Sequence, residues 1–280
     1  MEVSPQILFT TKLFTLLTSF CHCNVPESPA KYSNTTIETS TPPLSRVYMD
    51  PDSIIYPTRN HTATVIFLHP LGEVGTTAMD LLKYEKEDFE FANIKILFPT
   101  APCRPYTPLG GDVITKFHVS QMRYIWFDVT EESYRSKELL TSFEHSYEDL
   151  RDLILKEVEA GIPLNKIAIG GYLEGGTMAL HMAFRIVPEI AGVFALTSYL
   201  HRNTVVLKEL REKPPPKLPI LLWTHGTCDA SFVHAKDVFE DLMELGVPGQ
   251  FFEQPNIVGK LNPGQLEILH GWLSGVLEVD

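Results

Sequence analysis

The chain has 280 residues, 44% of them hydrophobic and 21% charged, enough apolar side chain to bury a globular core, which excludes wholesale disorder. Its 35 acidic residues outnumber 23 basic ones, for a net charge of −12, and that sign opposes nucleic-acid phosphates and anionic lipid surfaces, so no nucleic-acid partner is expected. The four cysteines, Cys21, Cys23, Cys103 and Cys228, lack the paired spacing of a zinc site and would make a sparse disulfide framework, which favours a cytoplasmic location.

Along the chain, the first apolar stretch, Ile7 to Phe20, is broken by Lys12 and several threonines and falls short of the roughly 18 apolar residues of a spanning helix. No transmembrane segment is expected. The run Leu13 to Phe20 keeps a signal peptide, and hence secretion, as a minority alternative, although Glu2 stands where such a leader is positively charged. Only in that case do Asn34-Thr35-Thr36 and Asn60-His61-Thr62 read as glycosylation acceptors. Pro26 to Ser45 is rich in Ser, Thr and Pro and cannot repay the entropy of ordering, so residues 1–45 read as a mobile extension and 46–280 as one domain.

From Thr62 the character changes. Ala63 to Leu68 is a continuous β-branched and apolar run, the mark of a strand buried on both faces, and Ile94 to Phe98, Lys166 to Ile169, Gly192 to Leu196 and Ile220 to Trp223 repeat it. The charged run from Lys83 to Glu90 reads as a solvated helix face and loop. Phe143, Tyr147, Leu150, Ile154 and Val158 recur at helical spacing and predict a helix stopping at Gly161; Val238, Phe239, Leu242 and Leu245 predict another before Gly246. Lys213-Pro-Pro-Pro-Lys217 reads as a rigid connector into the next strand. Buried strands alternating with amphipathic helices specify an α/β fold, with a mainly parallel sheet covered on both faces.

In such a sheet, chemistry gathers at the carboxyl ends of the strands. The strand from Lys166 runs into Gly171-Tyr172-Leu173-Glu174-Gly175-Gly176 and then a helix from Thr177 to Arg185, the strand, sharp glycine-flanked turn and helix of a nucleophile elbow. On these residues the chain resembles the acyl-protein thioesterases and lysophospholipase-like proteins, an α/β-hydrolase family with the pattern Gly-x-Ser-x-Gly-Gly. Further blocks agree in order: Val65 to Glu73, Phe98 to Pro105, Trp126-Phe127-Asp128 and Thr224 to Asp229. The similarity spans roughly residues 52–278, is strongest to the lysophospholipase-like branch, and leaves 1–45 and an insertion, Asp112 to Tyr124, outside it.

The resemblance implies cleavage of acyl esters or thioesters by a Ser, His and Asp triad, with no cofactor and no metal. Carried over by position, Leu173 stands at the nucleophile, Asp229 at the acid, and Leu71 and Glu174 at the oxyanion-hole donors. Gly259 stands at the histidine, where the family's Asn-x-x-His reads Asn256-Ile257-Val258-Gly259. A leucine has no lone pair to attack a carbonyl and a glycine no imidazole to take a proton, so both halves of nucleophilic activation are missing. Pro70 replaces a glycine beside the oxyanion hole, removes an N–H and biases His69 towards extended backbone, which calls the donor geometry at Leu71 into question.

The expectation is a family member that has lost catalysis and binds an acyl chain or an acylated protein. The alternative is an active carboxylic-ester or palmitoyl-protein thioester hydrolase using Cys228, or a water activated by a nearby histidine such as His225. A third reading makes the extension or the insertion an interaction surface. Thr177 is expected to pack or cap its helix, Cys228 to be a small buried apolar residue, His69 and His225 to make structural hydrogen bonds, and Asp128 to accept them; His234 and His270 read as surface or edge positions, and His118 has no visible partner.

Overall fold

The structure, a computed structural model, describes residues 46–109 and 122–277. The extension 1–45, with Asn34 and the apolar run before it, and most of the insertion, with His118, lie outside these residues.

The core is a seven-stranded sheet. Strands β1 (Ile54–Ile55), β2 (Ala63–Leu68), β3 (Ile94–Leu97), β6 (Ile167–Tyr172), β7 (Gly192–Leu196), β8 (Ile220–Gly226) and β9 (Gly249–Gln254) lie in the order β1-β3-β2-β6-β7-β8-β9. All neighbours are parallel except β1, which pairs antiparallel with β3 at one edge. A separate ribbon pairs β4 (Cys103–Pro105) with β5 (Met122–Tyr124), so the end of the presumed insertion is a strand with Tyr124 opposite Cys103.

Side chains alternate between two cores. Ile66 and Leu68 join the face covered by α2 (Leu140–Glu159), α4 (Val205–Glu212) and α5 (Phe232–Glu244), whereas Val65 and Phe67 join the face covered by α1 (Gly75–Glu85) and α6 (Pro263–Leu277). That is why β2, β6 and β7 are buried at every position and largely apolar. In α2 the buried stripe contains Phe143, Tyr147, Leu150 and Ile154, and the chain leaves the helix through Gly161, whose φ of +99° suits a residue without Cβ. In α6, Leu266, Leu269, Leu273 and Leu277 form the equivalent stripe. The helix expected from Thr177 to Arg185 divides: α3 runs from Glu174 to His181 and continues as a π-helical segment from Met182 to Ile186. Among the described residues no helix is long and apolar enough to cross a membrane.

Candidate functional site

The elbow is built by backbone crowding. A Cβ on Gly175 would lie 2.1 Å from the Leu68 carbonyl oxygen, and one on Gly176 would lie 1.9 Å from Ser198 Oγ, so α3 packs against β2 and the segment after β7 at a distance only glycine permits. Leu173, between the end of β6 and the first turn of α3, absorbs the bend with φ 51° and ψ −122°. That is a strained conformation for a side chain branched at Cγ, of order 1–3 kcal/mol. Its N–H bonds to Leu196 O at 3.0 Å, and its carbonyl accepts from Gly176 and Thr177. The Thr177 hydroxyl donates to Tyr199 O, a tie from helix to loop, as its packing role requires.

Asp229 follows the end of β8 and is half-buried. Its Oδ1 accepts from the Ser231 N–H at 3.0 Å and the Ser231 hydroxyl at 2.7 Å. Gly259 approaches from the loop between β9 and α6; a Cβ there would stand 3.8 Å from Asp229 Oδ2. The Tyr172 hydroxyl donates to Gly259 O, binding that loop to the residue before the elbow. Position 259 therefore stands beside Asp229 and is tied to the residue before Leu173, with neither hydroxyl nor imidazole at 173 or 259.

Neighbouring groups have other engagements. His225 is buried, with Nε2 3.3 Å from Ser231 Oγ and Nδ1 3.3 Å from Gly226 O. Burial pushes its pKa below the ordinary value, the Gly226 carbonyl and Asp229 opposing. Cys228 is exposed, contrary to the expected buried apolar role. His69 is fully buried: its Nε2 accepts from the Ala101 N–H at 2.9 Å, which leaves Nδ1 to donate to Pro70 O at 2.7 Å. Asp128 accepts from the Thr107 N–H and hydroxyl and the Val129 N–H. The two histidines expected at surface or edge positions are both half-buried, His234 stacked on Tyr134 and His270 on Phe91.

The oxyanion positions hold a finding that spacing alone did not disclose. The Leu71 N–H donates to Glu174 Oε2 at 3.1 Å, and the backbone N–H of Glu174 also favours its own carboxylate. The Leu71 donor expected to face a developing oxyanion faces a resident carboxylate instead. Pro70 has not turned Leu71 away; the loop is fixed by Trp126 Nε1 donating to His69 O at 2.8 Å and the Gly72 N–H donating to Tyr124 O at 2.9 Å. Burial pushes the Glu174 pKa up, the two N–H bonds pull it down, and nearby Glu132 raises it again.

Against this carboxylate lies a cavity of about 160 Å³, lined by Leu71, Tyr106, Ile125, Trp126, Phe127, Val129, Glu132, Glu174 and Tyr199. Tyr199 follows β7, a strand terminus of the kind sheet geometry flags, whereas Tyr106 and Glu132 sit in irregular segments with no periodic signal.

The family model for phospholipases and carboxylesterases matches residues 49–237. Mouse lysophospholipase-like protein 1 is 38% identical over 226 residues, covering 80% of this chain and 90% of the mouse protein. Acyl-protein thioesterase 1 of Neurospora crassa is 31% identical over 186 residues, 64% of this chain and 71% of its own. Among solved structures, Arabidopsis thaliana SOBER1 superposes with a TM-score of 0.66 at 23% identity, covering 77% of this chain and 99% of that one, and maize acyl-protein thioesterase 2 with 0.65 at 22%, covering 83% and 99%. At those identities the structures speak for the α/β-hydrolase fold. With the family model and the mouse relative, they place the chain: it belongs to the phospholipase/carboxylesterase family of α/β-hydrolases, that of the lysophospholipase-like proteins and acyl-protein thioesterases.

Proposed function

We propose that this chain is a non-hydrolysing member of the family, a binding protein on a hydrolase scaffold. The carrying observation is Leu173 in the strained turn, where the reaction needs an atom with a lone pair. Gly259 beside Asp229 removes the base, and the Glu174 carboxylate on the Leu71 N–H removes an oxyanion donor. In this reading Asp229 is a retained acid position with a capping role for the loop before α5. The hydrolase domain is taken as residues 46–280 with 1–45 as an extension, and the protein is placed in the cytoplasm.

What remains possible is to hold a group without turning it over. The relatives named as acyl-protein thioesterases suggest an acyl chain or an acylated protein as ligand. An engineered cavity of about 150 Å³ holds benzene, so the cavity beside Glu174 suits about six non-hydrogen atoms and is too small for a palmitoyl chain. The alternative of an active hydrolase has little support: His225 is buried away from solvent, and Cys228 lies outside the elbow.

A fluorophosphonate probe, which labels activated serines, should leave the protein unmodified. Hydrolysis of a butyryl thioester should equal that of heat-denatured protein. Covalent labelling in the cavity, or steady turnover abolished by Cys228→Ala or His225→Ala, would overturn the proposal.

A further inference from the structure

The cavity's charged groups are of one sign. Glu174 lies in its wall, and Glu132, exposed, lines it as well; no lysine or arginine is among the lining residues. The rest of the wall is aromatic and aliphatic, with Tyr106, Trp126, Phe127 and Tyr199 contributing rings. Tyr106, only 3% exposed, belongs to that wall.

An acyl group would fit poorly in this lining. Its carbonyl oxygen would look for the Leu71 N–H, already taken by Glu174 Oε2, and a free carboxylate would meet two like charges. A positive nitrogen meets the opposite situation. Carboxylates attract it, and aromatic faces attract it through their quadrupole while tolerating its methyl or methylene groups. The volume suits about six or seven non-hydrogen atoms, by comparison with the cavity of about 150 Å³ that holds benzene.

We infer that this cavity binds a small alkylammonium cation, its nitrogen set against the Glu174 carboxylate and its alkyl groups against the aromatic wall. The inference rests on the non-hydrolysing reading, because a working oxyanion hole would need the donor that Glu174 occupies. Glu132 also specifies the source: a free amine or quaternary ammonium is accepted, while an attached phosphate is repelled.

Calorimetric titration of the full chain with choline, its uncharged isostere 3,3-dimethylbutan-1-ol, butyrate and phosphocholine tests this. Choline should bind at least about tenfold tighter than the isostere, as one desolvated cation–π or ion-pair contact implies; butyrate and phosphocholine should bind more weakly than choline. Glu132→Gln, at an exposed position, should weaken choline and leave the isostere unchanged, and Glu174→Gln should abolish the preference for charge. An isostere as tight as choline, butyrate tighter than either, or no choline binding overturns the inference. Missing choline binding without thioester turnover removes this inference alone, whereas turnover by the unmodified chain removes the non-hydrolysing reading.

Discussion

The non-hydrolysing reading is tested by restoring, one at a time, the three features in which the chain departs from the family's triad and oxyanion hole. Leu173→Ser puts a hydroxyl on a backbone that already has the elbow conformation, φ 51° and ψ −122°. Gly259→His puts an imidazole where its Cβ would lie 3.8 Å from Asp229 Oδ2. The φ of +48° at 259 adds strain of about 1–2 kcal/mol for a side chain, although His is among the residues found in that region more often. Each single change should remain at background because triad members act as a unit. The pair should gain little as well. Losing one oxyanion donor costs about 100- to 1000-fold, and a carboxylate about 4 Å from a developing oxyanion adds repulsion of about 4 kcal/mol at an effective dielectric constant of about 20. Adding Glu174→Gln keeps the side-chain shape and removes the charge. The triple variant should therefore hydrolyse p-nitrophenyl butyrate at least about 100-fold faster than the pair. The stopped assay is spectrophotometric, with melting curves to show that each variant folds. A pair already as fast as the triple would mean that Glu174 does not obstruct the oxyanion position, and Leu173→Ser alone at that rate would mean that an existing histidine serves as base.

Other outcomes follow from packing and protonation. Gly175→Ala, whose methyl would meet the Leu68 carbonyl at 2.1 Å, should lower stability by about 1–3 kcal/mol or prevent folding; Gly271→Ala, in α6 with open space around it, should raise stability by up to about 1 kcal/mol. Equal melting temperatures for the two would contradict the crowding at the elbow. Burial depresses the His69 pKa to about 4, against 6.5 in the unfolded chain, despite the Pro70 carbonyl. The unfolded state then takes up a proton between those values that the native state refuses, so stability is lost as pH falls from 6.5 towards 4. At pH 5 the loss from this group is about 2 kcal/mol, with His225 and His181, also depressed by burial, acting in the same direction. Melting temperatures that do not fall between pH 7 and pH 5, or an NMR titration showing His69 charged at pH 6, would refute this. Asp229→Ala should cost about 1 kcal/mol, the scale of a lost cap to Ser231, and a loss above about 3 kcal/mol would point to a role beyond that cap.

What could be read in advance depended on how locally each feature is determined. Ala63–Leu68 and Gly192–Leu196 are legible because a strand covered on both faces is buried throughout and so largely apolar. At the sheet edge that constraint lapses. The Gly249–Gln254 strand mixes half-buried and exposed residues, and the two-residue strand at Ile54–Ile55 is too short to show a period. The π-helical segment Met182–Ile186 depends on packing and leaves no spacing of its own. At the site, motif spacing located the backbone positions 71, 173, 174, 229 and 259. It did not say where the Glu174 carboxylate turns, because that is decided by the Leu71 N–H, 103 residues away in sequence, nor that Tyr106, Glu132 and Tyr199 meet around one cavity.

The glycine collar around Leu173 inverts the usual map of mutational tolerance. In an enzyme the centre of such a turn admits one residue type, and its flanks are discussed as accessories. Here the flanks hold the tightest constraint, since Gly171, Gly175 and Gly176 each have backbone or Ser198 atoms inside the radius of a methyl group, while the half-buried residue between them answers chiefly to its dihedral angles and to looser packing on the core beneath α1 and α6. Deep substitution scanning should find a trough of intolerance with a permissive point at its middle, where glycine, asparagine and many others serve as well as leucine. On the non-hydrolysing reading, the join of sheet to helix, and not the reaction, dictates the shape there.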